Sequence, residues 1–315
     1  METFPSEFIR NVIGLRGDAG REWLRRLPEI VGILEQKWSL TALPHYALSY
    51  NFVAPAVRAD GSPVVLKIGF PQSDVPQEIA ALSRMNPQGV CRVLDFDAAN
   101  EAVLLERVSP GTMLAELCYA GRDDEATRHA AQAMRHIHAP ASNPEEPSWF
   151  AFDTLAQWGE GFVRLRERLH GGTGPFPADL VDTAEGLWRD LLASSPPPVL
   201  LHGDLHHDNL LAGERAPYLV IDPKGVIGDP AYETAPFLLN PNPFLKNYPE
   251  PDRLTARRIA ILSEELDIER ERIQSWGVAF AVLSAWWYIE DSDEFTHDGF
   301  TADVTAAEFI RAAKI

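Results

Sequence analysis

The stretch Leu200-Leu201-His202-Gly203-Asp204-Leu205-His206-His207-Asp208-Asn209, followed by Val220-Ile221-Asp222-Pro223, carries more information than any other part of the chain. Two short apolar runs, Asn209-Leu210-Leu211 and Tyr218 to Ile221, read as strands joined by a turn containing Gly213. Asp204 and Asn209 lie five residues apart on the loop before this hairpin, and Asp222 ends its second strand thirteen residues after Asn209. An antiparallel hairpin brings Asn209 and Asp222 to the same end.

Phosphoryl transfer from ATP needs few protein groups, because catalysis there is mostly positioning and charge neutralisation. One carboxylate must orient the attacking hydroxyl and accept its proton. A second carboxylate and a carboxamide oxygen must hold Mg²⁺ against the phosphates, since Mg²⁺ prefers hard oxygen ligands. The order Asp204, Asn209, Asp222 supplies these groups in the arrangement used by protein kinases. Two other readings compete. His202, His206 and His207 suggest a zinc site, but no further ligand has zinc spacing and Asn209 and Asp222 are left unexplained. A polar turn with merely capping side chains is the blander alternative. The combined motif in its structural context is more specific than either.

Upstream, apolar runs Phe52–Val57 and Pro63–Ile68 flank Ala59-Asp60-Gly61-Ser62, a hairpin signal. Residues 77–85 read as a short helix, and 90–96 and 102–108 as two more strands. Helical spacing over 21–38 contains Pro28, which predicts a break or kink there. After Ser109-Pro110-Gly111 helices are expected at 123–138, 153–170 and 178–193, and again in most of the chain beyond Tyr232. The plan is α+β: a small β-rich N-terminal lobe over 1–108 and a larger, mainly helical C-terminal lobe over 109–315, with a ligand cleft expected at the linker.

Composition agrees with an ordinary globular protein: 315 residues, 45% hydrophobic and 23% charged. The formal net charge of -18 disfavours nucleic acid and anionic lipid as partners and is compatible with a cationic small substrate. The basic residues Arg21, Arg25 and Arg26 alternate with Leu24 and Leu27 as on the wet face of a helix. The first residues lack the pattern of a signal peptide, and Trp276–Ile289 is too short to span a bilayer, so a cytoplasmic location is expected. Cys91 and Cys118 have neither metal-ligand nor redox spacing and read as packed thiols.

The loop His202–Asn209 and the run Ile221-Asp222-Pro223-Lys224-Gly225-Val226-Ile227-Gly228-Asp229-Pro230-Ala231-Tyr232-Glu233 resemble the aminoglycoside phosphotransferase superfamily, and within it the streptomycin 6-phosphotransferase and hydroxyurea-kinase branch. The resemblance implies a protein-kinase-like, two-lobed fold, with ATP and Mg²⁺ as cofactors and a small cationic acceptor; a monomer or homodimer is expected. It implies Asp204 as catalytic base, Asn209 and Asp222 as metal ligands, and His202 as a structural brace of the loop. Lys67, at the end of an apolar strand, is expected to contact the α/β-phosphates, with Glu78 of the next helix as its partner. Glu106 and Val108 fall in the expected hinge, where backbone groups read adenine. The segment expected to cover the phosphates, residues 47–52, contains no glycine; Ser49 and Asn51 are the donors it offers. That absence leaves a nucleotide-binding protein without turnover as an alternative, beside a housekeeping kinase of a small metabolite. For the acceptor, the candidate carboxylates are Glu233, Glu290 and Asp291, although the acidic run after Trp286-Trp287-Tyr288 also reads as a solvated helix end.

Overall fold

A computed structural model describes residues 4–140, 152–292 and 298–315. The chain divides into two compact units, Met1–Ser83 with Cys91–Val108, and Arg84–Val90 with Ser109–Ile315.

The first unit opens with helix α1, Ser6–Trp38, followed by strands β1 (Leu40–Ala42), β2 (Phe52–Arg58) and β3 (Pro63–Ile68), helix α2 (Val75–Arg84), and strands β4 (Val93–Asp97) and β5 (Ala102–Glu106). The strands form one antiparallel sheet in the order β1-β2-β3-β5-β4. The β2–β3 turn forms as expected: Gly61 takes φ +84, and Asp60 Oδ1 accepts from both the N–H and the hydroxyl of Ser62. Trp23, Leu27, Ile30, Leu34 and Trp38 recur on one face of α1 and form a core with Ala54, Leu66, Ile68 and Leu104 of the sheet. This packing corrects the expectation at Pro28, which sits inside the helix. The chain breaks instead at Gly17, whose φ 53 and ψ -125 are outside the helical region. A proline costs a helix about 3 kcal/mol, and the buried residues on either side of Pro28 offset it.

The second unit contains strand β6 (Pro110–Met113), helices α3 (Ala115–Tyr119) and α4 (Asp123–Ile137), strands β7 (Ala139–Pro140) and β8 (Asp153–Thr154), and helices α5 (Leu155–Arg168) and α6 (Ala178–Ala193). Strands β9 (Val199–Leu201), β10 (Leu210–Gly213), β11 (Tyr218–Val220) and β12 (Val226–Gly228) follow, then helices α7 (Thr234–Leu239), α8 (Asn242–Asn247), α9 (Pro251–Leu266), α10 (Arg270–Ser292) and α11 (Asp298–Ala312). α10 is the axis of this unit: Trp276, Val282, Leu283 and Trp286 are buried, and α5, α6, α7, α9 and α11 pack on it. β10 pairs with β11 in the register Leu210↔Val220, and on its other edge with β6. β9 and β12 lie side by side in a separate small sheet with β7 and β8. Residues 84–90 belong here, since Val220 N–H donates to Gly89 O and Arg215 Nη2 to Val90 O. Among the described residues no helix is long and apolar enough to cross a membrane.

Candidate active site

The loop between β9 and β10 is tied down almost residue by residue. His202 is fully buried and uses both ring nitrogens on backbone: Nε2–H donates to Ile221 O at 2.8 Å, and Nδ1 accepts from Asp204 N–H at 3.1 Å. These bonds require the neutral ring, and burial accordingly pushes the His202 pKa below its ordinary value against the pull of the nearby carboxylates. The His202 carbonyl accepts from Lys224 N–H at 2.8 Å and Gly225 N–H at 3.1 Å. One residue thus joins the loop to the segment that carries Asp222.

Glu233 holds the loop from the other side. Its Oε2 accepts from His202 N–H at 2.7 Å and its Oε1 from Gly203 N–H at 3.0 Å, while His138 Nε2 lies 3.4 Å from Oε2. Burial pushes this carboxyl upward, but the His138 contact and the His202 N–H hold it below its ordinary value. Gly203 takes φ +87, and a Cβ there would stand 2.9 Å from Trp158 Cη2, so the position needs glycine on two counts.

Within this frame Asp204 is half-buried, its side chain 39% exposed. Asn209 Nδ2 donates to Asp204 O at 2.9 Å, which fixes the amide; among the described residues no hydrogen bond claims its Oδ1. Ile221 N–H donates to Asn209 O at 3.0 Å, so the β10–β11 pairing sets Asn209 beside the residue preceding Asp222. Asp222 itself takes φ 58, a left-handed conformation that Asp tolerates better than most residues and that recurs at functional sites. The zinc alternative does not fit this geometry. His202 is bound to backbone, His206 caps the 3₁₀ turn His207–Asn209 through Asp208 N–H, and His207 is buried and stacked on Phe237 at 4.1 Å.

In the first unit, Lys67 Nζ lies 2.6 Å from Glu78 Oε2, with both side chains nearly buried. Strand alternation puts Lys67 on the face opposite Leu66 and Ile68, where α2 presents Glu78. Ser49 is exposed, its carbonyl accepting from Asn11 Nδ2, and Asn51 Oδ1 is enclosed without a hydrogen bond among the described residues. Glu106 accepts from Arg92 N–H at 3.0 Å, and Val108 is buried where the chain leaves this unit.

The expected acceptor carboxylates are differently employed. Glu233 is 0% exposed with both oxygens bound to the loop, so it has none to offer a substrate. Glu290 is ion-paired with Arg164, which neutralises it. Asp291 lies in α10, and its side chain is outside the described residues. An acid that motif reading missed is Asp303, 4% exposed, on the same face of α11 as the buried Phe300, Ala306, Ala307 and Ile310. A carboxylate on the apolar stripe of an amphipathic helix was the signal available for it.

The family model described as aminoglycoside/hydroxyurea antibiotic resistance kinase matches residues 43–292. The chain is similar to a streptomycin 6-kinase of Streptomyces griseus, 30% identical over 290 residues, 87% of each chain. It is also similar to a streptomycin 3''-kinase of Klebsiella pneumoniae, 32% identical over 263 residues, 81% of this chain and 91% of the relative. Among solved structures, that of aminoglycoside phosphotransferase APH(4)-Ia superposes with a TM-score of 0.65 at 15% identity, covering 92% of this chain and 100% of the other. That likeness establishes the protein-kinase-like fold, with its β-sheet unit and helical unit. By the extent of the family match and of these relatives, the chain belongs to the aminoglycoside/hydroxyurea antibiotic resistance kinases.

Proposed function

We propose that this kinase transfers the γ-phosphoryl group of ATP, with Mg²⁺, to a hydroxyl of a small cationic acceptor of the streptomycin type. The observation that supports the reading most is the linkage of Asp204, Asn209 and Asp222. The amide nitrogen of Asn209 is tied to the Asp204 carbonyl, and its own carbonyl to the residue before Asp222. The hairpin that sets one side chain therefore sets the others.

Asp204 accepts the proton of the acceptor hydroxyl and orients it; its N–H is anchored to His202 while its carboxylate stays partly open. Asn209 Oδ1 and the carboxylate of Asp222 are hard oxygen donors of the kind Mg²⁺ prefers, and they are the residues that would hold it. Bound Mg²⁺ supplies charge neutralisation at the phosphate oxygens. Lys67, oriented by Glu78, adds a positive charge for the α/β-phosphates, and the unit that carries it is the nucleotide-binding one. His202 and Glu233 keep the loop in shape and touch no substrate.

The acceptor follows from the relatives and from charge. Two of them are named for streptomycin, which carries guanidinium groups, and a chain of net charge -18 draws cations toward it. The test is ADP release by purified protein with Mg-ATP across streptomycin, other aminoglycosides, hydroxyurea and choline. Turnover that depends on an aminoglycoside supports the reading. Silence with every aminoglycoside, in protein that still binds Mg-ATP, overturns it.

A further inference from the structure

Six carboxylates are buried among the described residues, and five have a cationic or histidine partner. Glu78 has Lys67, Asp97 has Lys37, Asp123 has Arg258, Asp229 has Arg272, and Glu233 has His138. Asp303 is the exception. Its one hydrogen-bond partner among the described residues is a neutral hydroxyl, Ser284 Oγ–H, which donates to Oδ2 at 2.6 Å. A buried carboxylate without a countercharge is destabilising, so such a group calls for a reason.

Its location supplies one. Phe280, Ser284 and Trp287 recur at i, i+4 and i+7 and share one face of α10. Phe280 and Trp287 belong to an aromatic wall: Trp158 stands 5.5 Å from Trp287 and 6.0 Å from Tyr232, and Phe280 lies 5.4 Å from Tyr232. That wall adjoins the catalytic loop, since Tyr232 O–H donates to Gly203 O at 3.4 Å and the Trp158 ring blocks any Cβ on Gly203. Asp303 therefore lies behind a half-buried serine on the wall next to Asp204. Burial first, and then the charge of Asp204, push its pKa up to about 7.

We infer that Asp303 receives a guanidinium or ammonium group of the acceptor, so that the substrate itself supplies the countercharge that the other five buried carboxylates among the described residues draw from the protein. The inference rests on the phosphotransferase reading above and adds to it the residue that selects a cation. A guanidinium suits the position because it is planar, weakly hydrated and able to form paired hydrogen bonds with a carboxylate. Aromatic faces such as Trp287 and Trp158 favour the same group.

The experiment compares wild type with Asp303→Asn, using streptomycin as cationic and hydroxyurea as uncharged acceptor. In the variant the ratio of kcat/KM for streptomycin to that for hydroxyurea falls by roughly tenfold or more, through KM. The ligand-free variant also melts several degrees higher at pH 8, because an uncompensated buried charge has been removed. An unchanged ratio overturns the inference, as does a fall in melting temperature with the ratio preserved. If wild type turns over neither acceptor, the phosphotransferase reading fails separately. Calorimetric binding of streptomycin then decides for Asp303: binding lost in the variant supports the seat, and equal binding overturns it.

Discussion

Glu233 accepts the backbone N–H of His202 at 2.7 Å and, through its other oxygen, that of Gly203 at 3.0 Å. A fully buried carboxylate thirty residues away in sequence is thus the anchor of the loop that carries Asp204.

Replacing Glu233 with Gln sets an amide NH₂ against one of those N–H donors and removes the charge from both bonds. Charge-assisted hydrogen bonds contribute about 1.5–3 kcal/mol each. Glu233→Gln is therefore expected to lower both the melting temperature and kcat, with a smaller effect on Mg-ATP affinity. Scanning calorimetry and steady-state kinetics check this; a wild-type kcat in the variant would remove Glu233 from the account.

The buried histidines set an acid limit on stability. Burial holds His202 below its ordinary pKa and His207 well below it. As pH falls below about 6.5, the unfolded chain takes up protons that the native rings refuse. Stability then drops by about 1.4 kcal/mol per pH unit for each ring until its folded pKa is reached. Above pH 6.5 neither ring contributes a pH dependence. Other groups titrate too, including Asp303, whose raised pKa works in the opposite sense as pH falls below about 7. The difference between wild type and His207→Phe cancels them. His207 stacks on Phe237 and a phenyl ring can keep that contact, so urea midpoints at pH 7.5 and 5.5 should show the variant gaining on wild type at the lower pH.

Lys67 and Glu78 form a nearly buried pair at 2.6 Å. Breaking a buried ion pair by removing one member costs about 3–5 kcal/mol. Lys67→Met and Glu78→Leu should each lower stability, and the double variant should recover most of it without recovering a normal KM for ATP. A double variant with wild-type KM would show that the pair serves structure alone.

Much of this was legible in the sequence, for local reasons. The hairpin ending at Asp222 and the Asp60-Gly61 turn are set by turn chemistry within a few residues, and the 202–209 loop was readable from the spacing of Asp204 and Asn209. The Lys67–Glu78 pair was readable because Glu78 is the only acid in the helix expected after the lysine-bearing strand. What escaped depends on distant contacts. Pro28 remains helical because Trp23, Leu27, Ile30 and Leu34 are held by the sheet, and the break falls at Gly17, where a left-handed φ costs least. Residues 84–90 join the second unit through Val90 and Gly89 against Val220, a pairing across 130 residues. Glu233 reads in the sequence as a candidate acceptor carboxylate, and only the fold places it under the loop. Asp303 belongs to no motif, so its burial among Phe300, Ala306 and Ile310 was the sole indication.

Turnover measured together with nucleotide binding in Asp204→Asn tests the proposal that phosphoryl transfer turns on Asp204. In the variant kcat for the preferred acceptor is expected to fall by about 10²–10⁴, with Mg-ATP binding close to wild type, because Asn209, Asp222 and Lys67 are untouched. ADP release at the wild-type rate in that variant would contradict the proposal.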